Sequence, residues 1–438
     1  MKYDVIIAGG GTAGCACAYT AAKAGLSVLL AEKNSFLGGT MTSSLVTPAM
    51  NTSFNNINTD FYKILMCRLH DIGGEITYAD GNIGWFNPEL MKIILDTLML
   101  EAGVDVLFNC EVNSVQPVDN LVTSISLKGL IDYRNTVSIF TDKHHEMAPV
   151  TIDTKYLVDA TGDAEIFKKL NCKFLKNKNA FQPVSLRFIM SGIDISTFSD
   201  WIIKLDKNRN VTTSYIIEGE IHLSTAYTWD INKNWALESV FEKGIIDGDI
   251  KEEDINYFQL FTIPGMPASL AFNCPRILSE TNTECLYDVT NALIAGRMSI
   301  FRLSEFLKRN FKGFENAYVS SIANTLGIRV SNCIKGKYVY SIEDLKSGKK
   351  FEHPCLISNY PVDIHSIQKD CSVLEYNQRE YMLPLESLMS CDFDNLYAIG
   401  RCISADFEAQ SALRIIPSCF SMGEGLAKYL VELENKKS

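Results

Sequence analysis

The residues with the clearest chemical purpose lie at the start of the chain, where Gly9-Gly10-Gly11-Thr12-Ala13-Gly14 supplies a G-x-G-x-x-G pattern. In such a pattern Gly9 makes a tight turn, Gly11 lets backbone amides approach a pyrophosphate, and Gly14 lets a helix pack closely on a strand. Glu32 follows at the spacing of a carboxylate that grips a ribose hydroxyl, and an acid there disfavours a 2′-phosphate. The chemistry implied is dinucleotide binding. Alone the glycine string would fit an ordinary turn, so the elements around it decide. Tyr3 to Ala8 is an apolar run suited to a central parallel strand, Cys15 to Ala24 is an Ala-rich helix closed by Gly25, and Ser27 to Ala31 is a second strand ending at the acid. A helix N-terminus so placed faces phosphates with its positive end.

Other reactive side chains are scattered. Arg187, Arg276, Arg297 and Arg329 are candidates for holding a carboxylate through forked hydrogen bonds, and each also fits a structural or surface charge. His222, in a strand-like segment, is a candidate base, with a satisfied core histidine as the plainer reading. His144 and His145 sit in a polar loop without a carboxylate or thiol at ligand spacing, so no metal is assigned. The 13 cysteines are spread singly, with no C-x-x-C pair, as expected of reduced and mostly buried thiols.

Directly after Glu32, Lys33-Asn34-Ser35-Phe36-Leu37-Gly38-Gly39-Thr40 resembles the E-K-x-x-x-x-G-G-x loop of flavoproteins in the glutathione-reductase-like superfamily. Asp159-Ala160-Thr161-Gly162-Asp163 resembles the DATGD strand of that group, and Leu396 to Cys402 its closing strand with GRC. Gly313 to Ala317, Gly327-Ile328-Arg329, and Ala409 with Arg414 match the GFENA, GIR and A-x-x-x-x-R segments of the FAD-dependent oxidoreductases, the family the chain resembles from end to end, thinly between Ile193 and Cys285.

The resemblance implies bound FAD, with contacts from Gly9, Gly11, Thr12, Ala13, Gly14, Glu32, Lys33, Gly38, Gly39, Thr40, Val112, Ala160, Thr161, Gly162, Gly400 and Arg401. Val112 is expected along the adenine edge, although a plain core valine fits equally. Arg414 and Arg401 are candidates to stabilise negative charge near flavin N1 and C2, the rival reading being that each pairs with a carboxylate such as Glu408. Arg414, Arg329 and His222 are the catalytic candidates. Cys402 is the thiol expected closest to FAD, with a packed structural role favoured. The sequence departs from the family at Ser331-Asn332-Cys333, at Phe407, and at Gly423-Glu424-Gly425.

A 438-residue chain exceeds what one core usually supports, and 47% apolar with 21% charged residues argues for a folded protein. The expected fold is α/β: a Rossmann-like FAD-binding domain with a parallel central sheet, in residues 1–166 with a β-meander insertion and again in 386–438, plus an inserted mixed α+β substrate or cap domain in 167–385. Asn87-Pro88-Glu89 should open a helix that Gly103 stops, followed by a strand from Val104 to Cys110. Leu121 to Leu130 and Val137 to Leu157 should form a hairpin or meander. In the cap, strands are expected at Ser185 to Met190 and Ile221 to Thr228, and helices at Leu286 to Leu307 and Ala317 to Leu326. Pro417 and Ser418 should introduce a last helix whose positive end faces the flavin.

A net charge of -11 argues against nucleic acid and anionic membranes as partners. The lack of a secretory or spanning apolar stretch leads to the expectation of a cytoplasmic protein. No redox cysteine pair follows the Gly-Gly-Thr loop and no second G-x-G-x-x-G unit appears, so a disulfide reductase is set aside and NAD(P)H or another electron carrier would visit only transiently. The leading expectation is hydride transfer between FAD and a small polar metabolite. The alternatives are a flavin-dependent aromatic monooxygenase and an FAD-binding assembly or RNA-modification partner. Substrate and oligomeric state are not readable.

Overall fold

The computed structural model describes residues 2–437 other than 51, 54, 78–83, 131–148, 176–180, 208–210, 228–234, 367–371 and 376–378. His144, His145, Thr228 and most of the segment expected to run back from Val137 lie outside the described residues.

Strand β1 (Lys2–Ala8) is followed by helix α1 (Thr12–Lys23) and β2 (Val28–Ala31). Val5, Ile6 and Ile7 are fully buried because helices or strands cover both faces of the sheet, the environment that favours an unbroken apolar strand. Helix α2 (Pro88–Ala102) opens with the Asn87 side chain accepting from the amides of Glu89 and Leu90 and closes at Gly103 with φ 77°. The strand expected from Val104 to Cys110 divides in two: β3 (Asp105–Leu107) ends before Asn109, whose φ of 52° breaks the extended chain, and β4 begins at Cys110 (Cys110–Val118). With β5 (Leu121–Gly129), β6 (Val150–Asp159) and β7 (Leu396–Ala398) these strands form one sheet of order β3-β2-β1-β6-β5-β4.

The ten residues of β6 explain how a meander and a parallel sheet share one strand. Along one edge β6 runs parallel to β1, with Ile6 opposite Leu157. Along the other edge its first half takes β5 antiparallel, Ser124 opposite Asp153, and its second half takes β7 parallel, Leu396 opposite Leu157. The chain therefore leaves after β6 and returns as β7 beside it.

Six strands in between form a second sheet, in the order Thr213–Ile217, Glu220–Tyr227, Phe258–Thr262, Ser269–Phe272, Phe188–Ser191, Tyr318–Ile322. Every pairing in this sheet is antiparallel. Tyr318–Ile322 corrects the helix expected over Ala317 to Leu326: its alternating Tyr, Val and Ile pair with Phe188–Ser191, and strand pairing overrides the helical composition of the flanks. The strand expected over Ser185 to Met190 is interrupted around Arg187, between Val184–Ser185 and Phe188–Ser191. Helix Leu286–Asn310 is as expected and packs at Gly296, where an added Cβ would lie 2.9 Å from Leu186. The core under this sheet, built on Phe188, Phe198, Phe241, Phe258 and Phe272, is separate from the core around β1 and α1. The latter also takes in Tyr340, Leu356, Tyr381 and Leu383. Among the described residues no helix is long and apolar enough to cross a membrane.

Candidate functional site

The turn after β1 is shaped by contacts only glycine allows. Gly9 has φ 107°, and a Cβ there would lie 2.5 Å from the Ala160 carbonyl oxygen at the end of β6. A Cβ on Gly14 would lie 2.0 Å from the Gly9 oxygen, so α1 sits directly on the turn. The Gly10 amide donates to Glu32 Oε2 at 2.7 Å, and Asn34 donates to Glu32 Oε1 through both its main-chain and side-chain nitrogens. The turn and the end of β2 are thereby locked together. Gly38 donates its amide to the Gly10 carbonyl at 2.8 Å, and Gly39 approaches Gly11 so closely that a Cβ would come within 2.8 Å of the Gly11 Cα.

Gly11 differs from its neighbours. Its φ of -78° suits any residue, and the nearest atom to an added Cβ is 3.8 Å away. It is the N-cap of α1, and no side chain caps the helix, so the first amides of α1 point into free space. That space joins two cavities. One, of about 310 Å³, runs past Gly9, Glu32, Lys33 and Val112. The other, of about 540 Å³, runs past Gly162, Gly400 and Arg414 into the gap between the two cores. Gly11, Gly39, Thr40, Ala160, Thr161 and Arg401 line both.

The family model for FAD dependent oxidoreductases matches residues 4–431. The chain belongs to that family. FAD is accordingly its cofactor, and the uncapped helix, the open space at Gly11 and two confluent cavities fit an extended dinucleotide. No curated protein matches this flavoprotein. Among solved structures, p-nitrophenol 4-monooxygenase PnpA from Pseudomonas putida DLL-E4 is 10% identical with TM-score 0.49, covering 100% of this chain and 82% of that one. A geranylgeranyl bacteriochlorophyll reductase-like protein from Thermoplasma acidophilum is 13% identical with TM-score 0.44, covering 100% and 79%. The flavin-dependent brominase Bmp2 is 14% identical with TM-score 0.45, covering 99% and 79%.

Of the residues singled out in the flavoprotein sequence, Gly9, Gly11, Thr12, Ala13, Glu32, Lys33, Gly39, Thr40, Val112, Ala160, Thr161, Gly162, Gly400 and Arg401 line one or both cavities. Gly14 and Gly38 shape the walls from behind. The last helix, α3 (Ile416–Asn435), starts with Pro417 in its first turn and no capping side chain, and Ile415, Ile416 and Cys419 line the larger cavity. Arg401 does not pair with Glu408: it forms an ion pair with Asp163 at 2.6 Å. Arg414 instead donates to the Gln182 side chain at 3.0 Å and the Asp363 carbonyl at 2.9 Å.

Three of the residues singled out line neither cavity, in keeping with the plainer reading of each. His222 lies inside the second sheet, opposite Tyr215, and lines neither cavity. Arg297 is exposed on helix Leu286–Asn310, because that helix turns its other face to the core. Cys402 is fully buried and lines neither cavity, and burial pushes its thiol well above the usual range, whereas Cys419 lines the larger cavity and Cys110 the smaller.

The residues not foreseen come from one short strand, Val362–Ile364, and the loop after it. Asp363 and His365 both line the larger cavity. His365 Nε2 lies 3.4 Å from Asp363 Oδ2, and Arg276 Nη2 donates to His365 Nδ1 at 3.0 Å while its guanidinium stacks 3.7 Å above the Tyr257 ring. Burial, with Arg276 and Arg329 close by, holds the His365 ring well below its ordinary pKa and therefore neutral. Asp363 is held below the carboxylate range: burial opposes this, but His365, Arg414 and Arg329 outweigh it. The D-x-H spacing, two side chains on one strand face, was the available sequence signal.

Proposed function

We propose that this flavoprotein transfers a hydride between FAD and a small polar metabolite held in the 540 Å³ cavity. The observation that carries the reading is the confluence of that cavity with the narrower one at the glycine turn, which gives a dinucleotide and a substrate adjoining compartments. FAD supplies the two-electron chemistry; the chain supplies orientation, charge and exclusion of water.

In this reading the amides opening α1, with Gly39, Thr40 and Thr161, hold the pyrophosphate, and Glu32 and Val112 border the adenosine. Arg401, neutralised in part by Asp163, spans both compartments. The N-terminus of α3 presents amides to the flavin's pyrimidine edge, where negative charge develops on reduction. Trp85, Tyr257 and Phe261 wall the larger cavity with aromatic surface. His365 is the residue placed to hold or pass a proton: Arg276 occupies Nδ1, which leaves the ring proton on Nε2.

The test is anaerobic mixing of FAD-loaded protein with a metabolite panel, followed by loss of the yellow absorbance, and reoxidation by candidate acceptors. Substrate-dependent bleaching is expected. Bleaching by NAD(P)H alone, with no metabolite turned over, would move the assignment to a reductase; protein that never takes up FAD would end it.

A further inference from the structure

The larger cavity carries a charge distribution that the reading above does not require. Arg187, Arg329 and Arg414 line it, and Arg276 stands directly behind His365 and Tyr257. The four come from four separate segments. Arg187 Nη1 reaches only the carbonyls of Leu45 and Thr47, at 3.4 and 3.5 Å. Arg329 donates to the Pro183 carbonyl at 2.7 Å and to Ser185 at 2.9 Å. Arg414 keeps Nη1 buried without a partner, and so does Arg276 its Nε. Among the described residues none of the four forms an ion pair with a carboxylate side chain; Asp363 is the one acid among the residues lining that cavity, and its carboxylate lies 3.4 Å from Nε2 of the neutral His365 ring. Burial lowers all four guanidiniums, and those of Arg276, Arg414 and Arg187 lower Arg329 further, so the charges repel one another across the cavity.

Buried cations that repel are costly unless an anion joins them. The FAD phosphates do not supply it in the proposed arrangement. The glycine turn that would hold them meets both cavities at Arg401, which Asp163 already pairs, whereas Arg187, Arg329 and Arg414 line the larger cavity alone. Building on the functional reading above, we propose that the substrate is a small dianion, a dicarboxylate or a phosphate monoester, in reach of Arg187, Arg329 and Arg414. One negative charge would balance only half of the excess of the three lining guanidiniums over Asp363; two match it through forked hydrogen bonds. With the flavin ring in the same cavity, as the functional reading would have it, only a short molecule would fit beside it.

The test titrates FAD-loaded protein calorimetrically with four probes of similar size: succinate, glycerol phosphate, butyrate and butanediol. At least one dianion should bind, with butyrate about ten-fold weaker or more and butanediol weaker still. Which dianion wins tells a carboxylate pair from a phosphate. Arg187→Gln, which removes the least structural of the four contacts, should weaken the preferred dianion by about ten-fold or more at an unchanged melting temperature. Arg414→Gln provides the same reading from the opposite segment. Equal binding of butanediol and the dianions, no binding of either dianion, or indifference to both substitutions would overturn the proposal. Flavin content, measured by absorbance on the same samples, reports separately on the functional reading: full yellow occupancy with no preference for charge sinks the dianion alone.

Discussion

Gly11→Val separates the space for a cofactor from the packing of the fold. The backbone at Gly11, φ -78° and ψ -170°, is extended and suits valine, and an added Cβ meets nothing nearer than 3.8 Å. The apoprotein should therefore keep its melting temperature. What the side chain fills is the room in front of the first amides of α1. If two charge-assisted hydrogen bonds to phosphate are lost, at about 1.5 kcal/mol or more each, FAD binding weakens by about 3 kcal/mol or more, a factor of about a hundred. Gly14→Ala is the contrast: its Cβ would lie 2.0 Å from the Gly9 oxygen, a backbone atom that cannot swing away, so the fold itself should lose about 1–3 kcal/mol or more. The assay pairs FAD titration, read by quenching of flavin fluorescence, with thermal melts of both apoproteins. FAD bound by the Gly11→Val protein as tightly as by the parent would refute the reasoning, as would a Gly11→Val melt depressed as far as that of Gly14→Ala.

Gly423→Ala should cost about 1–3 kcal/mol in urea unfolding, because its Cβ would lie 2.1 Å from the Ala13 oxygen where α3 crosses α1. Arg401→Met should lower both FAD affinity and stability, the latter by about 2 kcal/mol after allowance for partial exposure of the pair, and Asp163→Asn in the same chain should restore much of the stability in a double-mutant cycle. Acidification should weaken the fold below pH 6.5, the ordinary histidine value: His365 and His222 are both depressed in the folded protein, so the unfolded chain binds protons first and stability declines as pH falls, while above that value neither contributes a slope. His365→Asn should flatten part of this decline in urea midpoints measured from about pH 8 to about pH 5; an unaltered slope would show that His365 is not held neutral.

How much of this was legible in the chain follows from how local each feature is. Gly9, Gly14 and Glu32 act within one strand-turn-helix-strand unit, and each glycine's contact is with that unit or with Ala160 at the neighbouring strand's end, so pattern and structure coincide. Asn87, Pro88 and Gly103 are also local signals and bound α2 as expected. The strand at Tyr318–Ile322 was not legible, since its state depends on a partner at Phe188–Ser191 more than a hundred residues away. His222 and His365 illustrate the same limit in the site: both lie in or beside strands, and only the tertiary path of Val362–Ile364 brings one of them against Arg276 and Asp363.

The arginines are the sharper case. Arg187, Arg276, Arg329 and Arg414 have no common local motif, and each alone reads as an ordinary surface or paired charge. Their meaning arises from convergence, which no window of sequence contains. A fold selected only for stability would place carboxylates among them or trade them for apolar residues, because burying like charges together works against folding. That four buried guanidiniums converge, with nitrogens on Arg414 and Arg276 that find no partner among the described residues, is what the proposed dianion rests on: its charges would be the missing counter-charge. The same reasoning predicts that a bound dianion raises the melting temperature most where the arginine repulsion it relieves is greatest, so Arg329→Gln should reduce that ligand-induced rise even while relaxing the unliganded protein.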